Sequence, residues 1–191
     1  MPQVDEDKLP PDVLSGLSEI QRYSLKMTDM INSILLLARM HDPSVTFQPV
    51  HIRPVVEAAL ERFKIPLISR GFSVSVDESL PDAVGHPVWL EEIFANLIDN
   101  AIKYTSPGSD APSLTIRGHQ RGTVARYEVR DRGIGIHPEN QSSVFEKFTR
   151  LQPHASPGTG LGLSIVRRLV TRLNGQVGIE SEPGFGPTVW F

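Results

Sequence analysis

The chain has 191 residues, 39% of them hydrophobic, a net charge of −3 and no cysteine. That supports one sizeable core with a helical appendage, gives no basic footprint for nucleic acid, and excludes disulfides and thiolate metal sites. No apolar run approaches the roughly 18 residues that span a bilayer, and the N-terminus, with Asp5, Glu6 and Asp7, is no signal peptide. The expectation is a soluble cytoplasmic protein, or the cytoplasmic part of a larger or membrane-anchored one.

In chain order, residues 1–10 are acidic and proline-containing and are expected to be disordered. Pro10-Pro11-Asp12 starts a helix, since proline is tolerated in the first turn. Val13, Leu17, Ile20, Ser24, Met27, Ile31, Ile34 and Ala38 then repeat at spacings of four and three, a heptad seam interrupted once by Ser24. Such a stripe needs a partner: its own globular domain, a second copy through residues 13–38, or a helix outside this chain. His41-Asp42-Pro43 ends the helix.

Beyond it, Val45 to Val50 reads as strand and Pro54 to Ser69 as an amphipathic helix that Pro66 kinks or shortens near its end. Phe72 to Val76 alternates as a strand, Pro87 to Tyr104 is helix, and 106–110 is a turn cluster. Leu114 to Gly118 and Thr123 to Val129 pair across Arg121-Gly122. A short helix over Pro138 to Phe145, a second over Leu161 to Leu173, and strands Gln176 to Glu180 and Thr188 to Phe191 close the chain. The sum is a two-layer α/β sandwich, a mixed, mostly antiparallel sheet under helices, preceded by a long coiled-coil-like helix. The division is 1–10, a helix over 11–42, and a globular domain over 43–191.

The helix over 87–104 carries the first chemical signal. Leu90, Ile93, Phe94, Leu97, Ile98 and Ala101 share its apolar arc, while Glu92, Asn96, Asn100 and Lys103 line the opposite one. Asparagine is a poor interior helix residue. Two of them a turn apart suit a row of magnesium-ligating amide oxygens, with a lysine for phosphate one turn on, or else an ordinary solvated face. Asp131-Arg132-Gly133-Ile134-Gly135-Ile136 follows a strand. Its carboxylate either accepts from an exocyclic amine, the glycines letting a flat base approach, or the segment is a glycine turn whose Asp caps the next helix. Gly158-Thr159-Gly160-Leu161-Gly162-Leu163 opens a helix and exposes successive N–H groups at its positive end, an anion cradle. It lacks the Gly-Lys-Ser/Thr of a Walker loop and the spacing of the dinucleotide fingerprint. Phe145 and Phe148 are core first, a lid hinge second.

These segments, in this order, resemble the ATP-binding catalytic domain of sensor histidine kinases, within the gyrase, Hsp90, histidine kinase and MutL ATPase superfamily. Asn96 to Tyr104 resembles the N box, Asp131 to Ile136 and Gly158 to Leu163 two glycine boxes, Phe145 to Phe148 the F box, and Gly184 to Thr188 a variant of the last box. The resemblance covers residues 45–191. The helix ending Leu37-Ala38-Arg39 is similar to the second helix of the dimerisation and phosphotransfer hairpin.

The resemblance implies ATP and Mg²⁺ as ligands. Asn100 would hold the metal and Asn96 would line the phosphate site. Lys103 would reach the phosphates, and with Asn96 carries the catalytic assignment. Tyr104 would lie along the nucleotide. Asp131 would accept from the adenine amino group, with Gly133 and Gly135 giving the base room and Ile136 beside them. Gly160, Leu161 and Gly162 would offer N–H groups to the phosphates, next to Leu163, and Thr188 would sit near the adenine. The implied partners are a phosphoacceptor histidine hairpin, in trans or in the full-length protein, and a response regulator.

Departures accompany the match. None of His41, His51, His86, His119, His137 and His154 rides an amphipathic helix ahead of an acid and a proline, so the acceptor is absent. His86 stands where the family commonly has Asp, Pro157 replaces a lid glycine, Pro187 replaces Thr or Ser, and the lid, Leu151 to Pro157, has no Lys or Arg. Two alternatives remain. One is a non-catalytic ATP-binding dimerisation module. The other is an ATP-hydrolysing clamp, which would need a glutamate where Asn96 stands.

Overall fold

In a computed structural model, residues 10–39, 45–105, 111–146, 149 and 160–191 are described. The expectations for residues 1–9, the helix end at 41–43, the turn at 106–110, the second half of the F box and the lid at 151–157 lie outside them. The first element, α1 (Pro11–Arg39), is a helix of 29 residues. Of its seam, Val13, Leu17, Ile20, Met27 and Ile31 are exposed, so these residues are not buried on the chain's own domain.

Strand β1 (Gln48–Val50) leads into α2 (Ile52–Arg62) and α3 (Lys64–Ser69), where one helix was expected. The break falls at Phe63, earlier than the sequence indicated. Pro66 explains the position: a proline ring meets the carbonyl four residues back, here Arg62, and supplies no N–H to bond it. Strands β2 (Ser73–Val76) and β3 (Ala83–Gly85) follow, the latter unforeseen, and then α4 (Pro87–Tyr104), whose two ends match the sequence reading. Pro87 fills its first turn, where a missing N–H costs nothing.

The remaining elements are β4 (Ser113–Arg121), β5 (Val124–Asp131), α5 (Pro138–Gln141), α6 (Gly162–Arg172), β6 (Gly178–Glu182) and β7 (Gly186–Trp190). Five strands form one sheet in the order β2-β4-β5-β7-β6, and β1 and β3 form a separate pair. Among the described residues only β2 against β4 is parallel; the other pairings are antiparallel, as expected of a mixed, mostly antiparallel sheet.

The core lies between this sheet and α2, α4 and α6. Ile52, Val56 and Ala59 meet Ile93, Phe94 and Ile98, with Val166 and Leu169 from α6 and Leu114 and Ile116 from β4. Phe94, fully buried, packs edge-on against Tyr127 at 5.9 Å and Phe191 at 5.2 Å. Burying each such side chain contributes about 1.5–3 kcal/mol, so α4 is fixed on its apolar arc and its asparagine arc is turned elsewhere.

Side chains alternate along β5 and β7. Val129 and Val189, paired in register, are buried toward the helices, and Arg130, Thr188 and Trp190 take the outer face. There the Arg126 guanidinium lies 4.2 Å over the Trp190 ring and bonds Glu128 at 3.0 Å and Glu180 at 3.2 Å. A Cβ at Gly178 would collide with that ring. Gly178→Ala is expected to displace Trp190, cost about 1–3 kcal/mol and red-shift tryptophan emission.

Candidate functional site

The asparagine arc of α4 meets the N-terminus of α6. A Cβ on Gly162 would lie 3.1 Å from Asn96 Oδ1 and 3.6 Å from Asn100 Oδ1, so the two helices converge there with little room to spare. Asn96 Nδ2 donates to the Glu92 carbonyl at 2.8 Å, which fixes its oxygen toward α6. Asn100 Nδ2 is buried with no hydrogen-bond partner among the described residues. Such an orphan costs about 1–3 kcal/mol, and a phosphate oxygen in this cleft would satisfy it. The first N–H groups of α6 add a partial positive charge at the same place. Lys103 forms an ion pair with Asp99 on its own helix.

β5 delivers Asp131 to its end, only 7% exposed. Its Oδ1 accepts the Gly133 N–H at 2.7 Å, a bond within its own turn, and the next helix, α5, begins after His137 without a side-chain cap. Burial pushes the carboxyl up to about 6, partly offset by that hydrogen bond. The loop beyond is clamped from three sides. Ile134 N–H donates to the Tyr104 carbonyl at 3.2 Å, Gly184 N–H to the Ile134 carbonyl at 2.9 Å, and Ile136 N–H to Ser181 Oγ at 2.8 Å.

The two glycines of this loop are also required by the chain's own close packing. A Cβ at Gly133 would lie 2.7 Å from Asp131 Oδ1 and 2.8 Å from the Tyr104 carbonyl oxygen. Gly135 has φ +71°, and a Cβ there would overlap the backbone of Glu182.

Between α4, the inner face of the sheet and this loop lies a hollow of about 270 Å³. Asn100, Tyr104, Asp131, Gly135, Ile136 and Leu163, all expected at a site, line it together. Apolar walls from Leu97, Val129, Ile179 and Val189 with one buried carboxylate suit a flat heteroaromatic ring bearing an amine donor. Asn96 and Gly162 stand against Asn100 at the adjoining cleft, which Asn100 shares with the hollow. Lys103, Gly133, Gly160 and Leu161 are not among the lining residues. Thr188 is a correction: β7 turns Pro187 and Val189 inward, so Thr188 is on the opposite face of the sheet. His137, Asn140, Val144 and Thr149 also line the hollow and had not been singled out.

Comparison with known proteins now adds to this geometry. The family described as histidine kinase-, DNA gyrase B-, and HSP90-like ATPase matches residues 85–191, more than half the sequence, and the chain belongs to it. Drug sensory protein A of Synechocystis sp. is 29% identical over 92% of this chain and 30% of its own length. Sensor-like histidine kinase SenX3 of Mycolicibacterium smegmatis is 32% identical over 93% of this chain and 47% of its own. The chain thus spans less than half of either relative. The crystal structure of full-length ShkA in complex with AMPPNP superposes with a TM-score of 0.74 at 26% identity, over 96% of this chain and 39% of that one. Within the family, residues 85–191 correspond to the ATP-binding catalytic domain of sensor histidine kinases.

Proposed function

We propose that this chain binds ATP with Mg²⁺ and transfers the γ-phosphate to a histidine carried on a segment other than those described here. One observation carries the reading: Asn100 and Asp131, from different elements, open onto a common hollow, and Asn100 also touches the cleft where α6 begins. The base lies in the hollow with its amino group on the second oxygen of Asp131. The triphosphate runs past Asn100 toward Asn96 and the N–H groups of residues 160–162, and Lys103 supplies positive charge once Asp99 releases it. The amide oxygen of Asn100, a hard donor facing the cleft, fits Mg²⁺. When bound, that ion neutralises phosphate charge, and the chain's own contribution is positioning and shielding from water.

The acceptor is expected in trans or elsewhere in a longer protein. Among the described histidines, His51 pairs with Asp82 at the surface, His86 and His137 precede helices, and His119 is on a strand. The exposed seam of α1 supports a dimerisation role for residues 11–42. A response regulator as downstream partner and a cytoplasmic location complete the proposal. No helix among the described residues is long and apolar enough to cross a membrane.

A hydrolysing clamp fits less well. Asn96 cannot take a proton, and the Glu92 carboxylate is bound by Arg62 at 2.7 Å, on the side of α2. ATP·Mg at 100 times its dissociation constant should add about 2.7 kcal/mol of stability, read as a rise in Tm. Asn100→Ala is expected to weaken the magnesium-dependent part of binding about tenfold. Mixing the chain with a histidine hairpin and labelled ATP should then place acid-labile phosphate on histidine. Binding without transfer would leave a non-catalytic module, and no nucleotide-dependent shift would end the proposal.

A further inference from the structure

The last turn of α4 ends in carbonyls that the helix itself does not satisfy. The Ala101 carbonyl is met locally, by Thr105 N–H at 3.2 Å and Thr105 Oγ1 at 2.7 Å, but others draw their partners from two distant segments: the Tyr104 carbonyl accepts Ile134 N–H at 3.2 Å. The guanidinium of Arg70 donates to the Ile102 carbonyl and, at 2.6 Å, to that of Thr105, a residue only 2% exposed. Arg70 is itself held in place as the C-cap of α3. Its N–H bonds the Pro66 carbonyl at 3.1 Å, and the next turn closes with Phe72 N–H on the Leu67 carbonyl at 2.9 Å.

One fork of two donors thus ties α3 to the end of the helix whose Tyr104 lines the hollow. The Tyr104 carbonyl in turn carries the loop holding Ile134 and Gly135. We infer that Arg70 is a positioning residue for the base end of the nucleotide: it holds the last turn of α4 closed, and so sets the spacing between Tyr104 and the loop at 134–136. It does so without being among the residues that line the hollow. This rests on the nucleotide reading above. A planar fork spans two carbonyls three residues apart, and a lysine ammonium is a compact point charge that does not reproduce it. The far end of α4, where Asn96 and Asn100 meet α6, is held by packing that does not involve Arg70. The effect therefore divides by ligand part.

The test titrates adenosine, and separately inorganic tripolyphosphate with Mg²⁺, into the wild-type chain, Arg70→Met and Arg70→Lys. Both variants are expected to lose about tenfold in adenosine affinity and to keep tripolyphosphate affinity within about twofold. Amide exchange at Ile134 should quicken in both. If Arg70→Met does not fold, Arg70→Lys alone decides. Unchanged adenosine affinity, or equal loss for both probes as a general loosening would give, overturns the inference. A wild-type chain that binds neither probe overturns the nucleotide reading and this inference with it.

Discussion

Asp131→Asn is expected to weaken adenosine binding on the order of a hundredfold at pH 8, about 2.7 kcal/mol, because an amide offers a donor where the base needs an acceptor. It should also remove a pH dependence that the wild type shows. The Asp131 carboxyl is raised from 3.8 to about 6 by burial. Between those values the native chain holds a proton that the unfolded chain has released. Its contribution to stability is therefore full below about pH 4 and is lost as pH rises through 6, by about 3 kcal/mol. Ligand binding has the opposite sign. The ionised carboxylate is the better acceptor, so adenosine affinity should rise about tenfold between pH 5 and pH 7 and level off above. Adenosine is the right probe because it carries no titrating phosphate. His137 lines the same hollow and supplies the control. His137→Gln should leave the slope standing if Asp131 is its source. Calorimetric titrations and Tm from pH 5 to 8 read both effects. A slope that survives in Asp131→Asn would remove the carboxylate from the account.

What the sequence made legible follows from how each element is stabilised. α4 could be bounded at both ends because Pro87 and a long apolar arc mark it unambiguously. Phe63 was harder, since a proline acts four residues upstream of where it is written. β3, three residues between Pro81 and Pro87, is too short to show a period. The range of β7 was nearly right and its phase was missed. Val189, Trp190 and Phe191 are all apolar, so alternation does not show which of them faces in. Only the register of Val189 on Val129 sends Thr188 outward. The short helix at Pro138 was legible, but its four residues are too few to show which side chains turn inward, so His137 and Asn140 went unmarked. The glycines were seen but not everything they admit: a sequence does not distinguish a glycine that admits a ligand from one that admits another strand of the chain.

That last ambiguity yields the largest expected change in stability. Gly186→Ala should cost about 3–5 kcal/mol and take nucleotide binding with it. Gly186 has φ +75°, and a Cβ there would overlap the Asp131 carbonyl and lie 2.9 Å from the Arg132 Cα, both of them backbone. No rotamer change relieves such a contact; β7 would have to peel away from β5 at the point where Asp131 is held. Gly184 is the control. Its φ is +85°, yet nothing lies within 4 Å of a Cβ placed there. Gly184→Ala should carry only the left-handed conformational cost of about 1–2 kcal/mol and keep adenosine affinity. Urea unfolding of the two variants, with adenosine titration of each, isolates the crowding from the torsion. Equal costs would mean that the approach of Gly186 to Asp131 is slack. If Gly186→Ala alone loses the ligand, the placement of the buried carboxylate depends on the crossing of two strands as much as on the loop that bears it.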